Sequence, residues 1–292
     1  MNDRLTTPVS SNRRTADEPG KPGGVRSHAV AWWHTSLRAI AVLNVALWSL
    51  SAVAVTREDA WIHLEPDVCY LQLLLSAVYV AGCAFRSVLP VIDIPRLVLI
   101  DSRLSSVLVG RSVATVAELC FAAQWALILH RTALAGRSPF VQAVSLAVVP
   151  LIVLAEGCSW YAVLTTEQRA HVAENSLWGL SAALAVAGML VIGPQQLTAL
   201  YPPLIAGGVL YVAFIFVYDV PMYWSRWLAD QANGHRYLSV ADGLADVCKR
   251  WTVSYRWEDW RNEVPWMSLY FTFGVWSSIW LVYASVAHGP GH

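Results

Sequence analysis

Four acidic side chains lie in or at the ends of long apolar segments, where acids are rare. They are Glu118, Glu156, Glu174 and Asp219. An ionised side chain at the centre of a bilayer costs roughly 2.5 to 3.5 kcal/mol on insertion scales, so each of these residues requires a physical reason. Loss of water favours the neutral form of a carboxyl group, and a neutral acid beside an ionised one can perform general acid–base catalysis. We therefore predict these four acids as the catalytic residues.

The same residue types fit two other kinds of chemistry. His171 precedes Glu174 by three residues, so it could add a nitrogen ligand to a divalent metal held by the carboxylates. A series of buried acids could instead relay protons through a transporter. The sequence contains no recognisable metal-binding or cofactor-binding motif, so no metal ligand and no cofactor is assigned.

Purely structural roles for the acids also remain open. Glu118 lies seven residues after Arg111, and Asp219 lies seven residues before Arg226. Residues at this spacing share one face of a helix, so each pair could form an ion pair with no further function. Glu174 could stabilise its helix through the helix dipole alone.

Polar and aromatic side chains close to the acids are the predicted substrate contacts. Aromatic rings can contact a cation or an apolar chain, and amide groups can orient a ligand. Aromatic residues in such positions also serve commonly in packing and in anchoring at the membrane interface. The predicted substrate-binding residues are Gln124, Trp125, Trp160, Tyr161, Asn175 and Tyr223.

Seven apolar runs carry these residues, and each is close to the ~20 residues that cross a bilayer as a helix. The apolar side chains surround each helix instead of occupying one face, which is typical of helices that contact lipid. The sequence therefore predicts an all-α, polytopic integral membrane protein, a bundle of seven transmembrane helices. The predicted spans are residues 37–55, 70–90, 112–130, 139–164, 174–192, 202–223 and 266–287.

The composition agrees with a membrane protein. Hydrophobic residues make up 56% of the chain and charged residues 14%, and twenty basic residues balance twenty acidic ones. The high hydrophobic content excludes a disordered chain. The equal numbers of basic and acidic residues exclude a basic nucleic-acid-binding domain, so no nucleic acid partner is expected. The predicted partners are the lipid bilayer and a lipid-like small molecule.

The distribution of basic residues predicts the orientation. With seven spans, seventeen of the twenty Arg and Lys residues fall on one side of the membrane and three on the other. Cytoplasmic loops carry the excess of basic residues, so the N-terminus is predicted to be cytoplasmic and the C-terminus outside. We expect a bacterial inner membrane or an equivalent one. On this topology the four acids share the cytoplasmic leaflet, which is the strongest functional signal in the sequence.

Three segments without a span complete the predicted organisation. Residues 1–30 are polar and predict a disordered cytoplasmic tail before the transmembrane domain of residues 31–292. Residues 94–109 mix apolar side chains with three charges, which predicts an interfacial helix. Residues 224–265 predict a cytoplasmic, Trp-rich loop in which apolar residues recur at helical spacing from Val240, as in an amphipathic helix.

These observations favour one function and leave two alternatives. We expect a membrane-embedded enzyme that uses the four acids, in acid–base or metal-assisted chemistry, on a lipid or isoprenoid-like substrate from the cytoplasmic leaflet. The seven spans contain no evident inverted repeat of the kind found in many transporters, which favours the enzyme. The first alternative is a small proton-coupled transporter or channel. The second is a non-catalytic membrane assembly subunit with the Trp-rich loop as its partner surface.

Overall fold

A computed structural model describes residues 27–57, 66–193 and 201–286. Of these residues 84% are helical, which confirms the predicted all-α class. The predicted tail of residues 1–30 lies outside the described part except for its last residues, where the first helix has already begun. The long helices of the first two thirds of the chain are α1 (His28–Arg57), α2 (Pro66–Val88), α3 (Val107–Gly136), α4 (Pro139–Thr165) and α5 (Gln168–Ile192).

The last third of the described chain combines long and short helices. They are α6 (Tyr201–Phe214), α7 (Val220–Ala232), α8 (Val240–Lys249), α9 (Trp257–Trp260), α10 (Val264–Leu269) and α11 (Val275–Val286). A π turn over Ile215–Asp219 joins α6 to α7 as one continuous helix, and a π turn over Tyr270–Gly274 joins α10 to α11. Single π turns are rare inside α-helices, and those that occur are found frequently at functional sites.

Six helices in the described residues are long and apolar enough to cross a membrane. They are His28–Val55, Val68–Val88, Val107–Gly136, Pro139–Thr165, Gln168–Ile192 and Tyr201–Ala232. Six of the predicted spans coincide with these helices. The remaining predicted span, residues 266–287, falls on the helix formed by α10 and α11, which is not among the six.

Neighbouring helices in the chain also pack side by side. Each of α1 to α4 contacts the next helix, α7 contacts α5, and α11 contacts α1, α2 and α3. Consecutive helices that pack side by side run antiparallel, as in up-and-down bundles, so α2 and α4 end where α3 and α5 begin. We call this end of the bundle the Arg111 end, after a residue close to the start of α3.

Residues 94–109 do not form the predicted interfacial helix. This part of the chain instead contributes to a small sheet and a 3-10 turn at the Arg111 end. The strands of the sheet are β1 (Val91–Ile92), β2 (Leu97–Val98) and β3 (Thr252–Val253). Strand β2 pairs with β1 in the antiparallel direction and with β3 in the parallel direction. The 3-10 turn comprises Arg103–Ser105. Helix α3 then begins at Val107.

Two of the three charged residues of this segment explain the difference, because they bind groups of the protein that are distant in the chain. The guanidinium of Arg96 forms an ion pair with Asp246 of α8 and donates a hydrogen bond to the carbonyl oxygen of Val163 at 3.2 Å. Asp101 accepts a hydrogen bond from the indole nitrogen of Trp251 at 3.0 Å. The interfacial-helix prediction is therefore wrong, since local sequence does not reveal partners so distant in the chain.

The amphipathic helix predicted in the Trp-rich loop is present as α8, with a different packing face. Gly243 and Val247 are buried, whereas Val240 and Leu244 are 50% and 51% exposed. A Cβ atom on Gly243 would lie 1.9 Å from the carbonyl oxygen of Leu164. Only glycine therefore permits this close approach of α8 to the end of α4.

Candidate functional site

Arg111 is the centre of a buried ion-pair cluster. Its Nη2 atom lies 2.7 Å from Glu156 Oε2 and 3.2 Å from Glu118 Oε2. The same atom lies 3.6 Å from Glu174 Oε1, and Nη1 lies 4.0 Å from Asp93 Oδ2. The arginine and the three glutamates are each at most 8% exposed. Three of the four predicted catalytic acids therefore meet at one guanidinium, and we call this set the Arg111 cluster.

Three antiparallel helices position the cluster. Arg111 and Glu118 stand two turns apart on α3, so they share one face of that helix. Glu156 precedes the end of α4 by nine residues, and Glu174 follows the start of α5 by six. With a rise of 1.5 Å per residue, the three glutamates lie roughly 9 to 16 Å along their helices from the Arg111 end. The sequence predicted this shared level, but it assigned Arg111 to the connection before the helix.

Glu156 is held by a short chain of hydrogen bonds. The hydroxyl of Thr115 donates to Glu156 Oε2 at 2.5 Å, and the indole nitrogen of Trp160 donates to the Thr115 hydroxyl at 3.0 Å. Trp160, a predicted substrate contact, therefore helps to orient the carboxylate. Glu156 Oε1 is buried and has no hydrogen-bond partner among the described residues. This oxygen is the acceptor that the cluster leaves available.

Tyr270 orients Glu118 from the second π turn. Its hydroxyl donates to Glu118 Oε1 at 3.1 Å, and its ring packs edge-on against Tyr79 with centroids 5.9 Å apart. A Cβ atom on Gly274 would lie 2.6 Å from the Tyr79 hydroxyl, so the glycine allows the π turn to approach α2. Sequence reasoning missed Tyr270, because it stands 152 residues from Glu118 among aromatic residues with no distinguishing signal.

His171 links Glu174 to the α6–α7 helix. Its Nδ1 atom lies 2.6 Å from Glu174 Oε2, and its ring lies 4.9 Å from the ring of Tyr223, with 31° between their planes. The side chain of Asn175 donates to the carbonyl oxygen of His171 at 2.9 Å, on its own helix. Of these two predicted substrate contacts, Tyr223 lies against the cluster and Asn175 binds backbone beside it.

Asp219, the fourth predicted acid, is buried at the end of the first π turn but is not an ion-pair partner of Arg111. The pairing considered for Asp219 with Arg226 is not formed. Arg226 Nη2 instead lies 3.0 Å from Glu263 Oε1. The other oxygen of Glu263 accepts a hydrogen bond from the indole of Trp266 at 2.5 Å. Asp219 is therefore not an ion-pair partner of Arg111, although the π turn that carries it packs against α5.

Three predicted substrate contacts lie away from the cluster. The fully buried Gln124 donates to the carbonyl oxygens of Gln72 and Ser278, at 3.3 and 3.2 Å, and accepts from the Ser278 hydroxyl at 2.5 Å. Trp125, on α3, is half-buried and packs against two hydrophobic core clusters. Tyr161 is 48% exposed and lines a groove of about 740 Å³ between α4 and α5.

The Arg111 cluster contains a guanidinium between its carboxylates. Within the described residues, no group of three or more His, Cys, Asp or Glu side chains is arranged to hold a metal ion. The guanidinium already occupies the position between the carboxylates where a cation would bind. The cluster is therefore an arginine–carboxylate site.

The cluster contains more acids than bases. One guanidinium can neutralise one of the three glutamates, with Asp93 a further acid at its edge. Buried charges without a partner are costly, so a carboxyl group in this position is stabilised by binding a proton. A protonated and an ionised carboxyl group side by side can donate and accept protons as one coupled unit.

Comparison with known proteins identifies no relative. The chain matches no protein-family model, no curated protein and no solved structure. Its function is therefore inferred from the chemistry of the Arg111 cluster.

Proposed function

We propose that the chain is a membrane-embedded enzyme that transfers protons to or from a lipid- or isoprenoid-like substrate at the Arg111 cluster. The observation that supports this proposal is the meeting of three buried glutamates from three helices at one guanidinium. General acid–base catalysis needs a donor and an acceptor within hydrogen-bond reach of one substrate. Glu118 and Glu156 both lie within 3.2 Å of the same nitrogen atom, so one ligand can reach both.

The residues of the cluster have distinct proposed roles. Glu156 exchanges the proton with the substrate, because its Oε1 atom has no hydrogen-bond partner among the described residues. Glu118 and Glu174, oriented by Tyr270 and His171, hold the other protons of the cluster. Arg111 keeps one carboxylate ionised and stabilises negative charge that develops during the reaction.

We further propose that the helix of α10 and α11 is the seventh span. It contains 23 residues from Val264 to Val286 and is therefore about 34 Å long, enough for the ~30 Å hydrocarbon core. The excess of basic residues then assigns the N-terminus and the Arg111 end to the cytoplasmic side and the C-terminus to the outside. In this orientation the cluster lies in the cytoplasmic leaflet.

The first experiment compares the wild-type protein with Glu156→Gln in vesicles of total bacterial membrane lipid. We expect the wild type to convert one lipid species, followed by mass spectrometry, and the variant to be 10²- to 10⁴-fold slower, as for loss of a general acid or base. Glu258→Gln is the matched control, because Glu258 is exposed on the short helix α9. Equal conversion by Glu156→Gln and the wild type would contradict the proposal.

Proton-coupled transport is the second candidate, and one observation favours it. A line of polar and titratable side chains continues from Glu174 through His171 and Tyr223 to Arg226 and Glu263. A transporter would collapse a pH gradient imposed on the same vesicles, followed with an entrapped pH-sensitive dye, without altering any lipid. The enzyme would alter a lipid and leave the gradient intact.

A further inference from the structure

A cavity of about 230 Å³ lies at the Arg111 end, lined by the β1–β2 turn, the start of α5, α7, and α9 with the residues that follow it. Its polar lining comprises Gln168, Arg226, Asp259, Asn262 and Glu263. Gln168 is the first residue of α5, six residues before Glu174. The cavity therefore lies about 9 Å from the level of Glu174 along that helix.

Two polar routes connect the cavity with the cluster. In the first, Gln168 precedes His171 by one turn of α5, and the His171 ring contacts Glu174. The guanidinium of Arg226, which lines the cavity, lies 5.3 Å from the ring of Tyr223, and that ring packs on His171. His171 therefore stands between the cavity and the glutamates.

The second route passes the turn after β1. Ile92 lines the cavity, and the next residue, Asp93, extends Oδ2 to 4.0 Å from Arg111 Nη1. The two routes reach the cluster from different elements, α5 and the strand pair. Two segments that line the cavity therefore also carry residues that ion-pair with Arg111, namely Glu174 on α5 and Asp93 after β1.

Buried polar atoms without partners occur on both routes and in the cluster itself. Gln168 Oε1, Asp93 Oδ1, Arg111 Nε and Glu156 Oε1 have no hydrogen-bond partner among the described residues, and Gln168 is only 7% exposed. More than nine in ten buried polar groups in proteins have a partner, either a protein group or an ordered water. A polar cavity of this size has room for about seven water molecules at liquid density.

We propose that the cavity is a water-filled entrance through which the Arg111 cluster exchanges protons with the aqueous phase, with His171 as the connecting side chain. In this step water delivers a proton to His171 Nε2 while the Nδ1 proton passes to Glu174 Oε2. One proton enters and one moves on, and the starting tautomer returns when water removes the proton from Nε2 and supplies one to Nδ1. The inference rests on the proposed function only in that the glutamates exchange protons.

Cysteine labelling tests the entrance without any assay of activity. Gln168→Cys is placed in a Cys248→Ser background, because Cys248 is exposed, and is treated with a small, water-soluble thiosulfonate that reacts with thiolates. Ser181→Cys on the same helix is the control, since Ser181 is 4% exposed and lies outside the cavity lining. We expect Gln168→Cys to react at least tenfold faster than Ser181→Cys.

A second variant shows that the reagent enters through the cavity. Asn262 stands exposed at its rim, so Asn262→Trp should fill the mouth and slow the labelling of Gln168→Cys several-fold. The proposed entrance would be overturned if Gln168→Cys were labelled no faster than Ser181→Cys, or if Asn262→Trp did not slow the labelling of Gln168→Cys. Failure of the lipid-conversion experiment would instead overturn the proposed function and leave the labelling rates unchanged.

Discussion

Two buried polar contacts join α3 to its neighbours, and they are built from different chemical groups. Farther along α3, Gln124 joins Gln72 of α2 and Ser278 of α11 through amide, hydroxyl and carbonyl groups. Near the start of the same helix, the Arg111 cluster joins α4 and α5 through charged groups. The first contact is neutral, and the second contains three glutamates for one arginine.

The comparison of these two contacts bears on the role of the charged groups in the Arg111 cluster. Neutral hydrogen bonds are sufficient to hold buried helices together, as the Gln124 contact does. Ion pairs taken out of water often stabilise a fold no more than apolar groups of the same size would. A surplus of acids adds a further cost, which the binding of protons relieves. The difference between the two contacts therefore supports a role for the cluster in chemistry and for the Gln124 contact in packing.

The largest expected effect is on stability, from Arg111→Leu. This change leaves three buried carboxyl groups without their cation, and breaking a buried ion pair in this way costs about 3 to 5 kcal/mol. We expect a strongly lowered midpoint of thermal unfolding in detergent, followed by tryptophan fluorescence. Arg111→Lys should fall between this variant and the wild type, because it keeps the charge but not the forked geometry. A wild-type midpoint for Arg111→Leu would show that the cation does not hold the cluster together.

A smaller loss of stability is expected from Gln124→Leu. The change removes the amide that joins α2, α3 and α11 and leaves two carbonyl groups and a hydroxyl without this partner, at about 1 to 3 kcal/mol. The rate of lipid conversion per folded molecule should stay at the wild-type value, measured on the fraction that elutes as folded protein. A loss as large as that of Glu156→Gln would mean that the two contacts do not differ in role.

The smallest effect is expected from Tyr270→Phe. This variant keeps the ring against Tyr79 and removes only the hydrogen bond to Glu118, at about 1 kcal/mol of unfolding free energy. The rate of lipid conversion should fall only a few-fold, because Tyr270 orients an acid and does not contact the substrate. A hundredfold loss, measured beside the thermal midpoint, would instead make the hydroxyl part of the reaction.

The sequence was sufficient to predict the six long apolar helices, because the length of an apolar run determines whether it can cross a membrane. Their ends were less predictable. Helix α3 begins at Val107 and not near residue 112, because charged residues such as Arg111 continue a helix when partners lie beside them. The sheet at the Arg111 end joins segments that are far apart in the chain, which no local pattern indicates.

The site was predictable in part for a related reason. Acids within apolar runs are conspicuous, and antiparallel helices bring Glu118, Glu156 and Glu174 to one level. The direction of a side chain around its helix depends on which helices pack there, and an apolar run does not reveal this. Gln124 therefore faces α2 and α11, and Tyr161 faces outward, although both stand close in sequence to predicted acids.

The parallel pairing of β2 with β3 has a consequence for the order of assembly during synthesis. Leu97 pairs with Thr252, more than half of the chain later, whereas all ion pairs of the Arg111 cluster are complete once α5 has been made. At 5 to 20 residues per second, the ribosome needs roughly 3 to 12 s to proceed from the end of α5 to β3. A nascent chain would therefore hold its ion pairs for seconds before the sheet closes over them, a period in which a chaperone or a membrane insertase can still reach the charged end of the bundle.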